Sequence, residues 1–321
     1  PENISSDVSF DVYFYKANGT LISTVTNQKI AQSFVPIPAE ASYFFAVFDT
    51  PSAAGIKLQL WSKVLSKNVT VKNSEFAFNR RQGITVGGVD NILIANNVLH
   101  DMGGTAPESG IDVEGGFFPN NNVKIKNNHF YNNKRYDLIL YDGSNAVVDG
   151  NVMESRTIGL AVSKPFSNAI VTNNTFKDGG ILIEGKNVYS ENNSIKNARV
   201  NLTGTGISLK NTALTDVNLR FNSSELFGIE ASKLTIINNG LPNTEMYVGN
   251  QPIHLRDITI KGKAGLRNIT GNGSDKSIYD NLKVEGYNVQ YGMSLPAGTY
   301  NNCTFESNES ESNALQINRV G

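Results

Sequence analysis

One nine-residue phrase recurs along this chain of 321 residues and limits what it can fold into. It reads NVTVKNSEF from Asn68, NILIANNVL from Asn91, NVKIKNNHF from Asn122 and NAIVTNNTF from Asn168. Weaker copies begin at Ala146, Asn187, Lys233, Asp257, Asn281 and Asn302. Counting Ala146, the starts from Asn68 to Asn168 lie 22 to 31 residues apart. A second phrase alternates with the first: QGITVGG from Gln82, SGIDVEGG from Ser109, YDLILYDG from Tyr136, IGLAVSK from Ile158 and GGILIEG from Gly179. Apolar residues fall at alternate positions in both, the period of a strand and not of a helix. Two short strands in a repeat of a little over 20 residues describe a solenoid, whose function is spread along a stacked surface.

Asparagine marks where the solenoid begins. The chain holds 42 Asn, and only three precede Asn68. Residues 1–62 therefore read as a separate small antiparallel β-module, sandwich-like, and residues 63–321 as a parallel β-helix. In the module, SFDVYFYKANGTLIST alternates with period two and is broken at Asn18-Gly19, a hairpin signal. ASYFFAVFDT and GIKLQLWSK are two further strands, too few for a large core, so the module is expected to pack on the first rung. In the solenoid, Val69 and Val71, Ile92 and Ile94, and Val123 and Ile125 point inward. The Asn pairs that follow (Asn96-Asn97, Asn127-Asn128, Asn173-Asn174, Asn192-Asn193, Asn238-Asn239) suit a sharp left-handed corner and a side-chain ladder between rungs. Phe76, Leu99, Phe130, Phe176 and Ile195 then return inward. A leucine-rich repeat would need a helical half-repeat, and none is visible. Left-handed hexapeptide helices would need a six-residue period, also missing.

Bulk properties exclude several function classes. Net charge is −1 with a pI near 6.4, which gives no argument for nucleic acid or an anionic membrane. No apolar run approaches the length of a membrane span. PENISSDVSF has neither Met nor a signal-peptide pattern, so the chain reads as cut or processed. The QINRVG ending reads as interrupted, so a C-terminal trimerising or receptor domain is expected beyond it. Cys303 is the single cysteine and is expected to be a small buried apolar residue. Three His and one Cys are too few for a zinc site or a Ser-His-Asp triad to be expected.

With these repeats, the sequence resembles the right-handed parallel β-helix proteins of the pectate-lyase-like superfamily over residues 63–321. Within it, the chain looks like bacteriophage tail spikes and tail-associated depolymerases. RRQGITVGG from Arg80 and HDMGGTAPESGIDVEGG from His100 are similar to a segment of phage tail proteins of Gram-positive hosts. The resemblance implies a host cell-surface polysaccharide as partner, a homotrimer, contact with other tail proteins, and an extracellular place on the virion tail. It implies no nucleic acid and no membrane insertion. The chain lacks the Asn-Thr-Asp and Gly-His-Gly motifs of polygalacturonases. Gly110-Ile111-Asp112-Val113-Glu114 matches alginate epimerase motifs only at Gly110 and Asp112.

Aligning the second phrase rung by rung locates candidate chemistry. Ile84, Ile111, Leu138, Leu160 and Ile181 stack inside. The neighbouring outward column reads Thr85, Asp112, Ile139, Ala161, Leu182, and the next Gly87, Glu114, Tyr141, Ser163, Glu184. Asp112 and Glu114 then project from one strand to one face, with Asp137, Tyr141 and Asp142 on the rung beside them, about 4.8 Å away. Nearly every turn leading into these strands carries a cation: Arg80-Arg81, His100, Lys134-Arg135, Arg156, Lys177, Lys196 and Arg199. Such an edge would suit an anionic or heavily hydroxylated polysaccharide. HDMGGTAPES is the longest of these turns, where solenoids carry function.

Two chemistries fit these residues. In a hydrolase, Asp112, Glu114 and Asp137 supply the acid and base, and crowded like charges raise one pKa. In a lyase, Arg135, Lys134, His100 and Tyr141 act on a uronate, and the carboxylates hold Ca²⁺; otherwise no cofactor is expected. The carboxylate crowding favours hydrolysis. Expected substrate contacts are Arg81, His100, Lys134, Arg135, Tyr141, Asp142 and Arg156. Glycan binding without cleavage is the third reading. His129 and His254 read as surface and structural, and Phe117-Phe118-Pro119 as a subunit contact.

Overall fold

The computed structural model describes residues 8–29, 35–50, 65–116, 118–239, 244–262, 268–287, 293–307 and 315–317. The chain divides into two compact units, Pro1–Lys63 and Val64–Gly321.

In the first unit, strands β1 (Ser9–Tyr15), β2 (Leu21–Lys29) and β3 (Tyr43–Phe48) form an antiparallel sheet in the order β2-β1-β3. The Asn18-Gly19 signal marks the hairpin. Gly19 N–H donates to the Lys16 carbonyl and Lys16 N–H to the Thr20 carbonyl, both at 2.9 Å. Gly19 takes the left-handed conformation (φ 82°) that this type of bulged turn requires. Alternate residues Phe10, Val12 and Phe14 are buried, with the Phe48 ring 5.5 Å from Phe10 and the Phe44 ring 6.1 Å from Phe14. The expected strand in GIKLQLWSK lies outside the described residues.

The second unit is a parallel β-solenoid. Its first turn comprises β4 (Ser66–Lys72), β5 (Glu75–Ala77) and β6 (Gln82–Val86). The second comprises β7 (Val89–Ala95), β8 (Val98–His100) and β9 (Ser109–Val113), and the third β10 (Asn121–Lys126), β11 (His129–Tyr131) and β12 (Tyr136–Leu140). Each strand pairs in parallel with its counterpart one turn on. The first two strands of each turn belong to sheet I, of 19 strands; the third belongs to sheet II, of nine. The expected two strands per repeat are thus three, because the first phrase bends at its Asn pair.

The two asparagines of a pair do different work. The first takes positive φ at Asn73, Asn96, Asn127, Asn173 and Asn192, between 55° and 58° except 53° at Asn127. Asn reaches this region at less cost than other side-chain-bearing residues. The second turns inside and ladders. Asn97 donates its backbone N–H and its side-chain amide to Asn128 Oδ1, both at 3.0 Å. Asn128 does the same to Asn151, Asn151 to Asn174, and Asn174 to Asn193. Each amide also reaches a strand carbonyl, as from Asn128 to Ile94 at 3.0 Å. A buried amide left unpaired would be costly, and this column leaves none so.

Around the ladder the predicted inward residues fill the core: Ile92, Ile94, Val123, Ile125, Leu99, Phe130, Phe176 and Ile195 are all buried. One rung escaped the sequence reading. Ile207–Lys210 and Ala213–Thr215 continue sheet I, but their leading left-handed corner is Gly206 (φ 66°) and not Asn. Sheet II likewise continues beyond Gly179-Gly180 through Arg199–Leu202, Asn218–Phe221, Met246–Val248 and Ile269–Gly271. Among the described residues no helix is long and apolar enough to cross a membrane.

Candidate functional site

Sheet II pairs in the expected register. Thr85 lies beside Asp112, Asp112 beside Ile139, Ile139 beside Ala161 and Ala161 beside Leu182. Asp112 is only 2% exposed in this column, whereas Glu114, two residues on, is exposed. Their Cα atoms are about 6.5–7 Å apart, Asp112 within β9 and Glu114 one residue past its end. Burial, then the charge of Glu114, push the Asp112 carboxyl up to about 6; Asp142 adds to the rise and Arg81 opposes it. No described residue donates a hydrogen bond to this carboxylate, and its oxygens are not among the buried polar atoms left without a partner. They therefore keep access to solvent. The result is a carboxyl that keeps its proton to a higher pH than an ordinary aspartate, up to about 6, beside one open to water.

The long turn after β8 is anchored to both neighbours. Arg80 donates to Thr105 Oγ1 at 3.2 Å, and Arg81 to the Ala106 carbonyl at 3.0 Å. Glu108, buried and not singled out by the sequence, accepts from Gly104 N–H at 2.8 Å and from Lys134 Nζ at 2.7 Å. The Lys134 ammonium holds the Glu108 carboxyl below its usual range. Lys134 is therefore a strut of the turn. Arg135 lies over the Tyr136 ring, 5.8 Å from its centre. Asp142 accepts from the N–H groups of Gly115 and Gly116, which fixes the turn after Glu114, and Tyr141 is 47% exposed on the same side.

Two expected members are elsewhere. Asp137 is fully buried and accepts from Asn133 Nδ2 at 2.8 Å, from Ser155 N–H at 3.2 Å and from Ser155 Oγ. Its column explains this. It occupies the place of Gly83, Gly110 and Gly159, and a Cβ on Gly110 would lie 2.7 Å from the Phe130 ring. That corner position faces the core, so Asp137 does not join Asp112 and Glu114. His100 projects from β8, in register with Ala77 and Tyr131, and not from sheet II. Its ring lies between Asp101 (2.6 Å) and Glu75 (2.9 Å) and stacks on Tyr131 at 4.5 Å. His129 bonds Glu154 at 3.0 Å and His254 bonds Asp280 at 2.8 Å. Phe117 lies outside the described residues; Phe118 packs over Gly88. Among the described residues no three His, Cys, Asp or Glu side chains gather as a metal cage.

The family model described as a right handed beta helix region matches residues 64–224, half of the chain. The chain belongs to the right-handed β-helix family. The uncharacterized protein YclG of Bacillus subtilis (strain 168) is 24% identical over 262 residues, covering 68% of this chain and 42% of YclG. The chain thus spans less than half the length of that relative. Among solved structures, the catalytic domain of a GH87 alpha-1,3-glucanase in complex with nigerose is 13% identical, with TM-score 0.45, over 100% of this chain and 87% of the glucanase chain. The tailspike protein gp49 of Pseudomonas phage LKA1 is 12% identical, with TM-score 0.33, over 100% of this chain and 60% of the tailspike. The A-module of the mannuronan C-5 epimerase AlgE6 of Azotobacter vinelandii is 15% identical, with TM-score 0.37, over 79% and 59%.

Farther along this β-helix a groove of about 560 Å³ opens beside sheet II, between Arg156 and Thr244. Its origin lies in turn length. The links Phe176 to Ile181, Ile195 to Val200 and Leu214 to Leu219 are the shortest in the solenoid, while Leu99 to Ile111 and Ile236 to Met246 are long. Three short links in succession leave a hollow between longer ones. Arg156 is thus placed on this groove, three turns from β6, where Arg81 leads in.

Proposed function

We propose that this β-helix binds a polysaccharide along sheet II and hydrolyses it at Asp112 and Glu114. The observation that carries the reading is the outward but buried Asp112, its carboxyl pushed up to about 6, next to the exposed Glu114. In its acid form Asp112 donates a proton to the glycosidic oxygen as the bond to the anomeric carbon breaks. Glu114 takes a proton from the water that attacks that carbon. Arg81 limits the rise of the Asp112 carboxyl, and Asp142 fixes the turn behind Glu114.

The lyase alternative has less support. Of its four residues, Lys134 is bonded to Glu108 and His100 is held by Glu75 and Asp101. The tail-spike setting rests on the resemblance of the Arg80 and His100 segments. It includes a homotrimer, contacts with other tail proteins, and a host cell-surface polysaccharide met outside the cell. Light scattering after size exclusion tests the trimer, and a monomer at micromolar concentration would sink it. The activity is tested by incubating the protein with purified cell-wall and capsular polysaccharides. New reducing ends without ultraviolet absorbance are expected. Absorbance of an unsaturated uronate would instead establish a lyase, and silence in both with glycan binding would leave a recognition protein.

A further inference from the structure

We propose that the groove between Arg156 and Thr244 is a subsite for an uncharged hexose chain running along sheet II towards Asp112. This deepens the glycan-cleaving reading and depends on it for the direction of the chain. Its volume of about 560 Å³ is in the range that holds a small ligand. Leu182, on its floor, stands in the same outward column as Asp112 three rungs away, roughly 14 Å. A chain of a few sugar rings spans that distance.

The charge of the groove selects the class of sugar. Arg156 and Arg199 line it and make no side-chain bond to any described residue, so their donors are open. Asp178 and Asp216 line it too, which cancels the two cations. Asp178 accepts from Asn197 at 3.0 Å, and Asp216 takes two bonds from Asn239 at 2.7 and 3.0 Å. The Asn201 amide, next in the column after Leu182, also has no described partner. Donors, acceptors and an apolar floor in balance match hydroxyls and the C–H face of a neutral sugar.

The rest of the path agrees. Part of the cationic edge read from the sequence is neutralised, Lys134 by Glu108 at 2.7 Å and Lys177 by Glu154 at 3.7 Å. At the other end, Asp112, Glu114 and Asp142 outnumber Arg81. A uronate polymer would bring like charge to that cluster with little compensation.

Titration calorimetry on the full chain tests this, using α- and β-linked gluco-, galacto- and manno-hexaoses against oligogalacturonate and oligomannuronate. A neutral hexaose is expected to bind, with affinity changing less than about twofold between roughly 50 and 500 mM salt. Arg199→Ala and Asn201→Ala should each weaken it about five- to tenfold. Both side chains face solvent, and circular dichroism would register any misfolding. Binding of the acidic oligomers with steep salt dependence, binding untouched by both variants, or binding of no oligomer overturns the proposal. Cleavage of the same hexaoses separates the two readings. Groove-dependent binding without turnover would defeat only the hydrolase, whereas cleavage of uronate oligomers would defeat only the neutral subsite.

Discussion

At the residue scale, the most consequential side chain is Asp112. Its carboxyl sits at about 6 in the folded protein against an ordinary value of 3.8. The folded state therefore binds more protons than the unfolded state between those values, and stability falls as pH rises from below about 4 to above about 6. Asp112→Asn should raise the midpoint of urea unfolding at pH 7, have little effect on it below pH 4, and cut turnover by roughly a hundredfold or more with glycan affinity retained. A stability gain with unchanged turnover would mark Asp112 as a strained but idle group. If Asp112 is the acid, kcat/KM should fall as pH rises through about 6. Arg81→Ala removes the charge that opposes the rise, so this limb should move to higher pH; a limb that stays in place would exclude Arg81 as its neighbour in function. Asp137 behaves differently. With three donors aimed at it in the core, Asp137→Asn should lower stability by about 1–3 kcal/mol while turnover per folded molecule is kept. An intact midpoint with lost turnover would return it to the catalytic list.

At the scale of the strand and turn, much was legible in the sequence, for a physical reason. Residues that alternate in and out within a recurring phrase leave one register that stacks Ile84, Ile111, Leu138, Leu160 and Ile181 inside, so Thr85, Asp112, Ile139, Ala161 and Leu182 align from sequence alone even though the turns between the strands differ in length. Where a corner changes its chemistry the reading fails. Gly206 replaces Asn at the corner before Ile207, and that rung went unseen. Strict alternation through the corner places Asp137 outward, whereas the glycines at 83, 110 and 159 in the same column mark a position that faces the core. His100 precedes the long turn in sequence and so reads with the sheet II edge, but it follows Leu99 within a short strand of sheet I. The two Asn of each corner make a sharper test. Asn128→Ala leaves both Asn97 donors without their acceptor and takes the amide donor from the Ile94 carbonyl, and should cost about 3 kcal/mol or more. Asn127→Ala, next to it, loses only ease in the left-handed region and should cost about 1 kcal/mol, with Asn127→Gly close to neutral. Equal costs at 127 and 128 by denaturant unfolding would contradict this division of labour.

At the scale of the whole solenoid, the position of Asp112 decides how a polymer would be cut. It lies on the second strand of sheet II, with Thr85 on one side and the rungs of Ile139, Ala161 and Leu182 on the other. The surface is a continuous face and not a closed pocket, so nothing in the column itself requires a chain end. The larger part of the face, including the hollow made by three short turns, is on the side away from Thr85. A polymer is held there over several rungs while the bond at Asp112 breaks, so cleavage should occur within chains. Viscosity of a polysaccharide solution is then expected to collapse while only a small fraction of bonds has yielded reducing ends. Early products should be oligomers of several sugars and not monosaccharides. Release of single sugars from the start, with viscosity falling only in proportion, would require a barrier across the face near Thr85. It would also remove the reason for placing a subsite three rungs from the reacting bond.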